Sequence, residues 1–149
     1  MCKTGDIILI YNARNKNRPV GVHPFIVLDD SNGTVMGLYN YDFIGLLLTS
    51  ADTEERKERL RQYVGNFSIA KEDKTINSGK DDNRDGYVEA DQLFYFDKNK
   101  IKYKQLGKLA PDIFDLIIEF MEELSQNGVE MKQILDKATK IELSDKIED

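Results

Sequence analysis

Three short runs of apolar and β-branched residues constrain the fold of this chain more than any other feature. They are Asp6–Tyr11, Pro24–Leu28 and Phe43–Leu48, each five or six residues long. Runs of this length, bounded by turn-forming residues, are typical of buried strands, whereas a buried helix needs about ten residues or more. The first third of the chain therefore predicts a β-sheet.

The segments between these runs predict loops and turns. Asn12–Val22 is rich in Asn, Lys and Arg and contains a proline and a glycine, which predicts a long exposed loop. Asn32 and Gly33 form a dipeptide that is typical of tight hairpin turns. Thr34–Tyr39 then predicts a third strand, and Phe43–Leu48 becomes the fourth.

The middle of the chain predicts a charged helix followed by short strands. Glu54–Val64 alternates acidic and basic residues, and Ser50 or Thr53 can cap its first turn. We expect an apolar face formed by Leu60, Tyr63 and Val64. The strands predicted after this helix are Phe67–Ile69, then Tyr87–Ala90 and Leu93–Phe96 as one bent strand or two short ones, then a segment from Ile101. Residues 71–85 predict a loop.

Helical periodicity returns near the end of the chain. Pro111 suits the first position of a helix, and apolar residues recur every three or four positions up to Leu124. Asn127 and Gly128 are typical of a helix end. Residues 128–149 predict a helical extension. We therefore expect one domain over residues 1–149, with its core at about 4–126 and the fold class α+β.

Composition excludes several classes of function. The 149 residues carry a net charge of −6, which argues against a general nucleic-acid coat protein. Cys2 and His23 are the only cysteine and histidine, so neither an internal disulfide nor a zinc site is expected. No apolar run is long enough to cross a bilayer, and the first residues do not resemble a signal peptide. We expect a cytoplasmic protein that needs no metal or cofactor and does not enter the membrane.

One local pattern points to calcium. Asp81, Asn83, Asp85 and Gly86 occupy the first, third, fifth and sixth positions of an EF-hand loop. The twelfth position is Gln92, which cannot supply the bidentate carboxylate, and no helical periodicity precedes the loop. An acidic hairpin loop explains the segment better than a calcium site, and a calcium-responsive module is the third hypothesis for function.

An ordered set of four segments is more informative. It comprises Thr4–Ile10, then His23–Leu28, then Leu46–Ser50, and finally Gly86–Leu93 leading through Asp97–Ile101 and Leu106–Leu109 into the last helix. In order and spacing, this set resembles the MazF/PemK family of toxin endoribonucleases. The resemblance covers roughly residues 4–124, with an enlarged insert at residues 52–85.

The resemblance implies a small SH3-like antiparallel β-barrel with an inserted helix and C-terminal helices. It implies a homodimer that cleaves single-stranded RNA at short sequences without a metal ion, paired with an antitoxin protein. In that chemistry the RNA 2′-hydroxyl attacks the adjacent phosphate, so the enzyme must take one proton, give another and stabilise the added negative charge.

The site implied by the resemblance combines a residue before the second strand with the end of a later strand. The family has an arginine where this chain has His23, and a Thr or Ser where it has Thr49 and Ser50. His23 can act as an acid or a base near neutral pH, although it lacks the bidentate grip of a guanidinium on phosphate. Arg18 followed by Pro19 is a competing alignment, but no apolar strand follows it directly.

The loop between the first two strands supplies the positive charge in this reading. Arg14, Lys16 and Arg18 would hold the RNA backbone, although a solvated basic loop explains them as well. The absence of the arginine and the acidic net charge favour a second hypothesis, a catalytically inactive barrel of this type that binds RNA or peptide.

Overall fold

A computed structural model describes residues 3–15, 18–35, 37, 39–51, 53–76 and 84–135, and for residues 14–15 and 18–21 it describes the backbone alone. Within these ranges the chain is mostly β-structure, with two α-helices and one turn of 3₁₀ helix. The strands are β1 (Asp6–Asn15), β2 (Arg18–Asp29), β3 (Gly33–Val35), β4 (Tyr39–Tyr41), β5 (Phe43–Ser50), β6 (Asn66–Ile69), β7 (Lys74–Ile76), β8 (Gly86–Glu89), β9 (Gln92–Phe96), β10 (Tyr103–Leu109) and β11 (Lys132–Leu135). The helices are α1 (Glu54–Arg61) and α2 (Pro111–Gln126), and the 3₁₀ turn is Lys71–Asp73.

The main sheet is curled and antiparallel except at one edge. One path through it runs β6-β8-β5-β2-β1-β10-β7, and β9 pairs with β5 beside β8. The ends of this path, β6 and β7, are separated in the chain only by residues 70–73. The sheet must therefore curl to bring its two ends together, and since no pairing joins β6 to β7 among the described strands, it forms a half-barrel.

Apolar side chains cover both faces of this sheet. Successive strand residues point to opposite faces, so Ile7 and Ile8 enter different clusters. The first cluster contains Phe25, which meets the rings of Phe94 and Phe96 edge-on at centroid distances of 5.1 Å each. The second cluster lies under α2, which contributes Ile117 as a fully buried residue.

Helix α2 has the bounds that the sequence predicts. Pro111 stands at the first turn, and the backbone N–H of Asn127 closes the last turn by donating to the Glu123 carbonyl. Gly128 follows with a φ of 81°, a left-handed conformation that glycine adopts without strain. Leu116 is an exception to the predicted apolar stripe, because 46% of its surface is exposed.

The segment predicted as a loop, Asn12–Val22, instead belongs to two strands in its described part, residues 12–15 and 18–22. Within it, β1 continues to Asn15 and β2 begins at Arg18, and these two residues pair in the antiparallel register. Polar side chains hide this arm from a search for apolar runs, because the hydrogen bonds that form a β-ladder belong to the backbone. Register shifts near Ala13 mark an irregularity in the arm.

The predicted hairpin at Asn32 and Gly33 is also wrong. Strand β2 pairs with β1 and β5, whereas β3 pairs with β4 in a separate two-stranded sheet. The predicted single strand Thr34–Tyr39 is divided into β3 and the start of β4, with Gly37 between them at a φ of 67°. The positive φ shows why this segment does not continue as one strand.

Helix α1 forms where predicted, capped by Thr53, but it lacks the predicted apolar face. It ends at Arg61, so Tyr63 and Val64 lie beyond it and remain 62% and 65% exposed. The segment predicted as a loop at residues 71–85 contains the 3₁₀ turn and β7. Of the two alternatives predicted for the following segment, one bent strand or two short ones, the structure has the two short strands, β8 and β9.

The predicted C-terminal helical extension at residues 128–149 is wrong in its described part. Lys132–Leu135 forms β11, which pairs in parallel with β9. Ile134 and Leu135 become buried against the strands, so the free edge of β9 overrides a local pattern that also fits a helix. Residues 136–149 lie outside the described part of the chain.

Candidate functional site

The pairing of β2 with β5 determines where His23 and Thr49 lie relative to each other. Phe25 pairs with Leu47 in the antiparallel register. Phe25 and Leu47 form the last pair at this end of the β2–β5 ladder, and His23 and Thr49 each lie two residues beyond it. Because side chains alternate along a strand, both lie on the face that carries Phe25 and Leu47. Two of the residues predicted as catalytic therefore occupy the same end of the sheet.

Two further strands extend this arrangement. Thr49 pairs with Tyr87 on β8, and Tyr87 pairs with Ser68 on β6. Paired residues in an antiparallel sheet share a face, so Thr49, Tyr87 and Ser68 form a cross-strand row over three neighbouring strands. Neighbouring strands are about 4.8 Å apart, so the row is about 10 Å long.

Glu89 lies beside this cross-strand row and contacts Thr49. Glu89 is two residues beyond Tyr87 and so lies on the same face. The Thr49 hydroxyl donates to Oε2 of Glu89 at 3.0 Å, and the Gln92 amide donates to Oε1 at 3.1 Å. These two donors and the sheet orient the carboxylate.

Burial raises the pKa of Glu89 above the ordinary value of a glutamate. The hydrogen bond from Thr49 opposes this shift, and the charge of Asp91 adds to it. A carboxylate whose pKa is raised toward neutrality is a stronger base than an exposed one. Glu89 can therefore accept a proton from a group bound beside Thr49.

Ser50 does not share this face. Because β5 continues to Ser50, adjacent Thr49 and Ser50 side chains point to opposite faces of the sheet. Ser50 borders a cavity of about 40 Å³ together with Pro24, Lys74 and Arg84. The Lys74 ammonium donates to the Arg84 carbonyl at 2.6 Å, and burial lowers the pKa of Lys74. Ser50 thus borders a small cavity that Lys74 also borders, and Thr49 lines the same cavity.

The basic residues predicted to bind RNA lie along the arm formed by β1 and β2. Arg14 pairs with Pro19 and Arg18 pairs with Asn15, whereas Lys16 lies outside the described residues. Only the backbones of Arg14 and Arg18 are described. Arg18 is five residues from His23 on one strand, which corresponds to about 16 Å.

The calcium hypothesis falls largely outside the described chain. Asp81 and Asn83 are not described. Asp85 accepts a hydrogen bond from the Lys71 backbone N–H at 2.8 Å and one from the Lys57 ammonium at 3.3 Å. These bonds hold the pKa of Asp85 below its ordinary value. Within the described ranges, no three His, Cys, Asp or Glu side chains are close enough together to hold a metal ion.

Comparisons with known proteins do not assign a family. No protein-family model matches this chain, and no curated protein matches it significantly. In the part of the chain that the structure describes, no helix has both the length and the apolar character required to cross a membrane.

The sequence did not identify Glu89 or Tyr87 as site residues. Both lie in a segment correctly predicted as a strand, but their neighbours depend on how β8 aligns with β5. The one available signal was an acidic residue at an alternating position of a β-branched and aromatic strand, where a charge on a packed face is unusual.

Proposed function

We propose that this protein is a toxin-like endoribonuclease that cleaves single-stranded RNA without a metal ion, on an SH3-like variant of the curled half-barrel. The observation that carries the proposal is the hydrogen bond from Thr49 to Glu89, with His23 on the same face of the sheet just beyond the end of the β2–β5 ladder. Attack by the RNA 2′-hydroxyl requires a base that takes its proton and an acid that protonates the departing oxygen. A hydroxyl that contacts the phosphate can stabilise the added negative charge.

In the proposed reaction, Glu89 removes the proton from the RNA 2′-hydroxyl as that oxygen attacks phosphorus. Thr49 orients the Glu89 carboxylate by donating its one hydroxyl proton to it. Once Glu89 has taken the proton of the 2′-hydroxyl, the Thr49 hydroxyl is free to donate to the phosphate. The bond from phosphorus to the 5′-oxygen breaks, and protonated His23 gives its proton to the departing oxygen. The products are a 2′,3′-cyclic phosphate and a free 5′-hydroxyl. Arg14, Lys16 and Arg18 hold the RNA backbone beyond the reacting phosphate.

The test is cleavage of a mixed-sequence 20-nucleotide RNA by purified protein in the presence of a chelator. We expect a 2′,3′-cyclic phosphate product and no cleavage of 2′-O-methyl RNA. His23→Ala and Glu89→Gln should each lower kcat by about 10²- to 10⁴-fold, the usual contribution of an acid or a base. Lys98→Ala and Glu119→Gln are matched controls, because both residues are exposed and away from the cross-strand row. Unchanged cleavage by His23→Ala would remove that residue from the mechanism.

A second candidate function is RNA or peptide binding by a barrel that does not cleave. The net charge of −6 and the histidine in place of an arginine favour it. Binding of RNA without cleavage of any sequence in a random library would select this function over the first.

The proposed toxin would act with two protein partners. One is a second copy of the chain, and a homodimer mass by light scattering is the expected result. The other is an antitoxin whose disordered segment becomes ordered on binding and covers the site. A short open reading frame immediately upstream of this gene would support that pairing, and co-expression of its product should suppress RNA cleavage.

A further inference from the structure

The insert between β5 and β8 builds a groove beside the cross-strand row. The groove has a volume of about 380 Å³, within the range of about 300–1,000 Å³ that is typical of ligand sites. Lys57 and Arg61 border it from α1, where their spacing of four residues puts them on one side of the helix. Asn66 and Ser68 border it from β6, and Tyr87 borders it from β8.

Polar contacts tie helix α1 to the sheet beside this groove, and none of its residues is fully buried. The Lys57 ammonium lies 3.3 Å from Oδ2 of Asp85, and the Tyr87 hydroxyl donates to the Lys57 carbonyl at 3.3 Å. The Asn66 amide donates to the Leu60 carbonyl at 2.8 Å. These three hydrogen-bonded contacts fix the helix so that Lys57 and Arg61 face the groove.

The groove offers a cation that a phosphate can use. The guanidinium of Arg61 pairs with Glu58 at 2.8 Å, and both side chains are more than half exposed. Exposed pairs of this kind contribute little to stability, so a phosphate can compete for the guanidinium with its bidentate geometry. Lys57 is paired with Asp85, which also borders the groove, and only 27% of the Lys57 side chain is exposed against 60% for Arg61. Arg61 is therefore the more accessible cationic group for a ligand.

The groove and the candidate catalytic residues are continuous on one face of the sheet. Tyr87 and Ser68, which border the groove, belong to the same cross-strand row as Thr49. Ser68 is two strands from Thr49, or about 10 Å. An RNA strand whose reacting phosphate lies at Thr49 therefore reaches the groove with an adjoining nucleotide.

We infer that this groove binds a nucleotide of single-stranded RNA next to the cleaved bond, with its phosphate on Arg61 and its base against Asn66, Ser68 and Tyr87. The inference rests on the proposed function, because it takes Thr49 as the position of the reacting phosphate. It gives the enlarged insert a role: it lengthens the RNA site beyond the arm formed by β1 and β2.

Arg61→Ala tests the inference, with Arg59→Ala as a matched control. Arg59 lies on the same helix, carries the same charge and is exposed, but it does not border the groove. Binding is measured by fluorescence anisotropy with a labelled 2′-O-methyl RNA of mixed sequence, which cannot react by the proposed route. Arg61→Ala should raise Kd about five- to tenfold, corresponding to the loss of one charge-assisted contact of about 1–1.4 kcal/mol. Arg59→Ala should change Kd less than twofold.

A second variant tests the space rather than the charge. Ser68 is exposed on the groove wall, so Ser68→Trp should fill the groove and weaken binding at least as much as Arg61→Ala. Far-ultraviolet circular dichroism of each variant checks that the fold is retained. Equal Kd values for Arg61→Ala and Arg59→Ala, together with unchanged binding by a folded Ser68→Trp, would overturn the inference.

Cleavage assays separate this inference from the proposed function. If the wild type binds RNA without cleaving it, and Arg61→Ala alone weakens binding, the groove stands as an RNA site and the endoribonuclease proposal fails. If the wild type cleaves RNA but the groove variants bind and cleave normally, the groove inference fails and the endoribonuclease proposal stands. If the wild type neither binds nor cleaves RNA, both are overturned.

Discussion

Replacing Thr49 by alanine removes the hydroxyl that donates to Glu89 at 3.0 Å. Hydrogen bonds to charged groups contribute about 1.5–3 kcal/mol to stability, and water can replace part of this bond because Glu89 is only partly buried. We therefore expect Thr49→Ala to lower the unfolding free energy by about 1–2 kcal/mol at pH 8. For a chain of this size, that corresponds to a fall in Tm of about 2–8 °C.

The effect of Thr49→Ala should depend on pH with a definite sign. Burial raises the pKa of Glu89, so the folded state keeps this proton at pH values where the unfolded state has lost it. Stability therefore falls as pH rises from the ordinary glutamate range through the raised pKa. The hydrogen bond from Thr49 opposes that shift, so its loss raises the pKa of Glu89 further. The destabilisation should be largest above this pKa and smallest near pH 4, where Glu89 is protonated in both states.

Urea denaturation at pH 4 and pH 8 measures this difference. A double-mutant cycle with Glu89→Gln isolates the bond, since the variant keeps a side-chain oxygen acceptor but cannot ionise. In the Glu89→Gln background, Thr49→Ala should cost less at pH 8 and should lose its pH dependence. Thr49→Ser keeps the donor and is the matched control. Equal costs of Thr49→Ala at both pH values, or no coupling in the cycle, would refute the argument that Thr49 stabilises an ionised Glu89.

Three further predictions concern stability and use thermal or urea unfolding. Phe25→Ala removes a fully buried ring with two edge-on aromatic contacts and should cost about 3–5 kcal/mol, against little change for exposed Val64→Ala; a cost below 1 kcal/mol would contradict the packing described. Gly107→Ala brings a Cβ into the backbone carbonyl of Thr75 and should lower the unfolding free energy by at least about 1–3 kcal/mol. At Gly5 an added Cβ meets no neighbouring atom, and Gly5→Ala is strained by its φ of 89° instead. Thr53→Ala removes the N-cap of α1 and should cost about 1 kcal/mol, with Thr53→Ser as the control that keeps the cap.

The parts of the fold that were predictable depend on residues close together in the chain. The bounds of α2 follow from its apolar spacing, Pro111 and the dipeptide Asn127–Gly128, all of which act within a few turns. Strand β11 was missed because it forms by pairing with the edge of β9, which lies about forty residues earlier in the chain. The arm of β1 and β2 was missed because its ladder is formed by backbone groups under polar side chains.

The candidate site divides in the same way. His23 and Thr49 were named through the resemblance, from their positions next to apolar strands, but their placement at the same end of the sheet required the register of β2 and β5. Thr49 and Ser50 were grouped because the resemblance implies either a Thr or a Ser after the predicted strand Phe43–Leu48. Strand β5 in fact continues to Ser50, and side chains alternate between faces along a strand, so Thr49 and Ser50 point to opposite faces of the sheet. Glu89 could not be predicted as their neighbour, because its alignment depends on a strand forty residues away.

The parallel pairing of β11 with β9 also has a consequence during synthesis of the chain. Strand β9 leaves the ribosome well before Lys132–Leu135, the segment that later covers its edge. In that interval the backbone N–H and C=O groups along this edge of β9 have no partner and can pair with another nascent chain. Premature termination anywhere between the two strands would make the exposure permanent. We expect such fragments to aggregate and to be early substrates of chaperones or proteases.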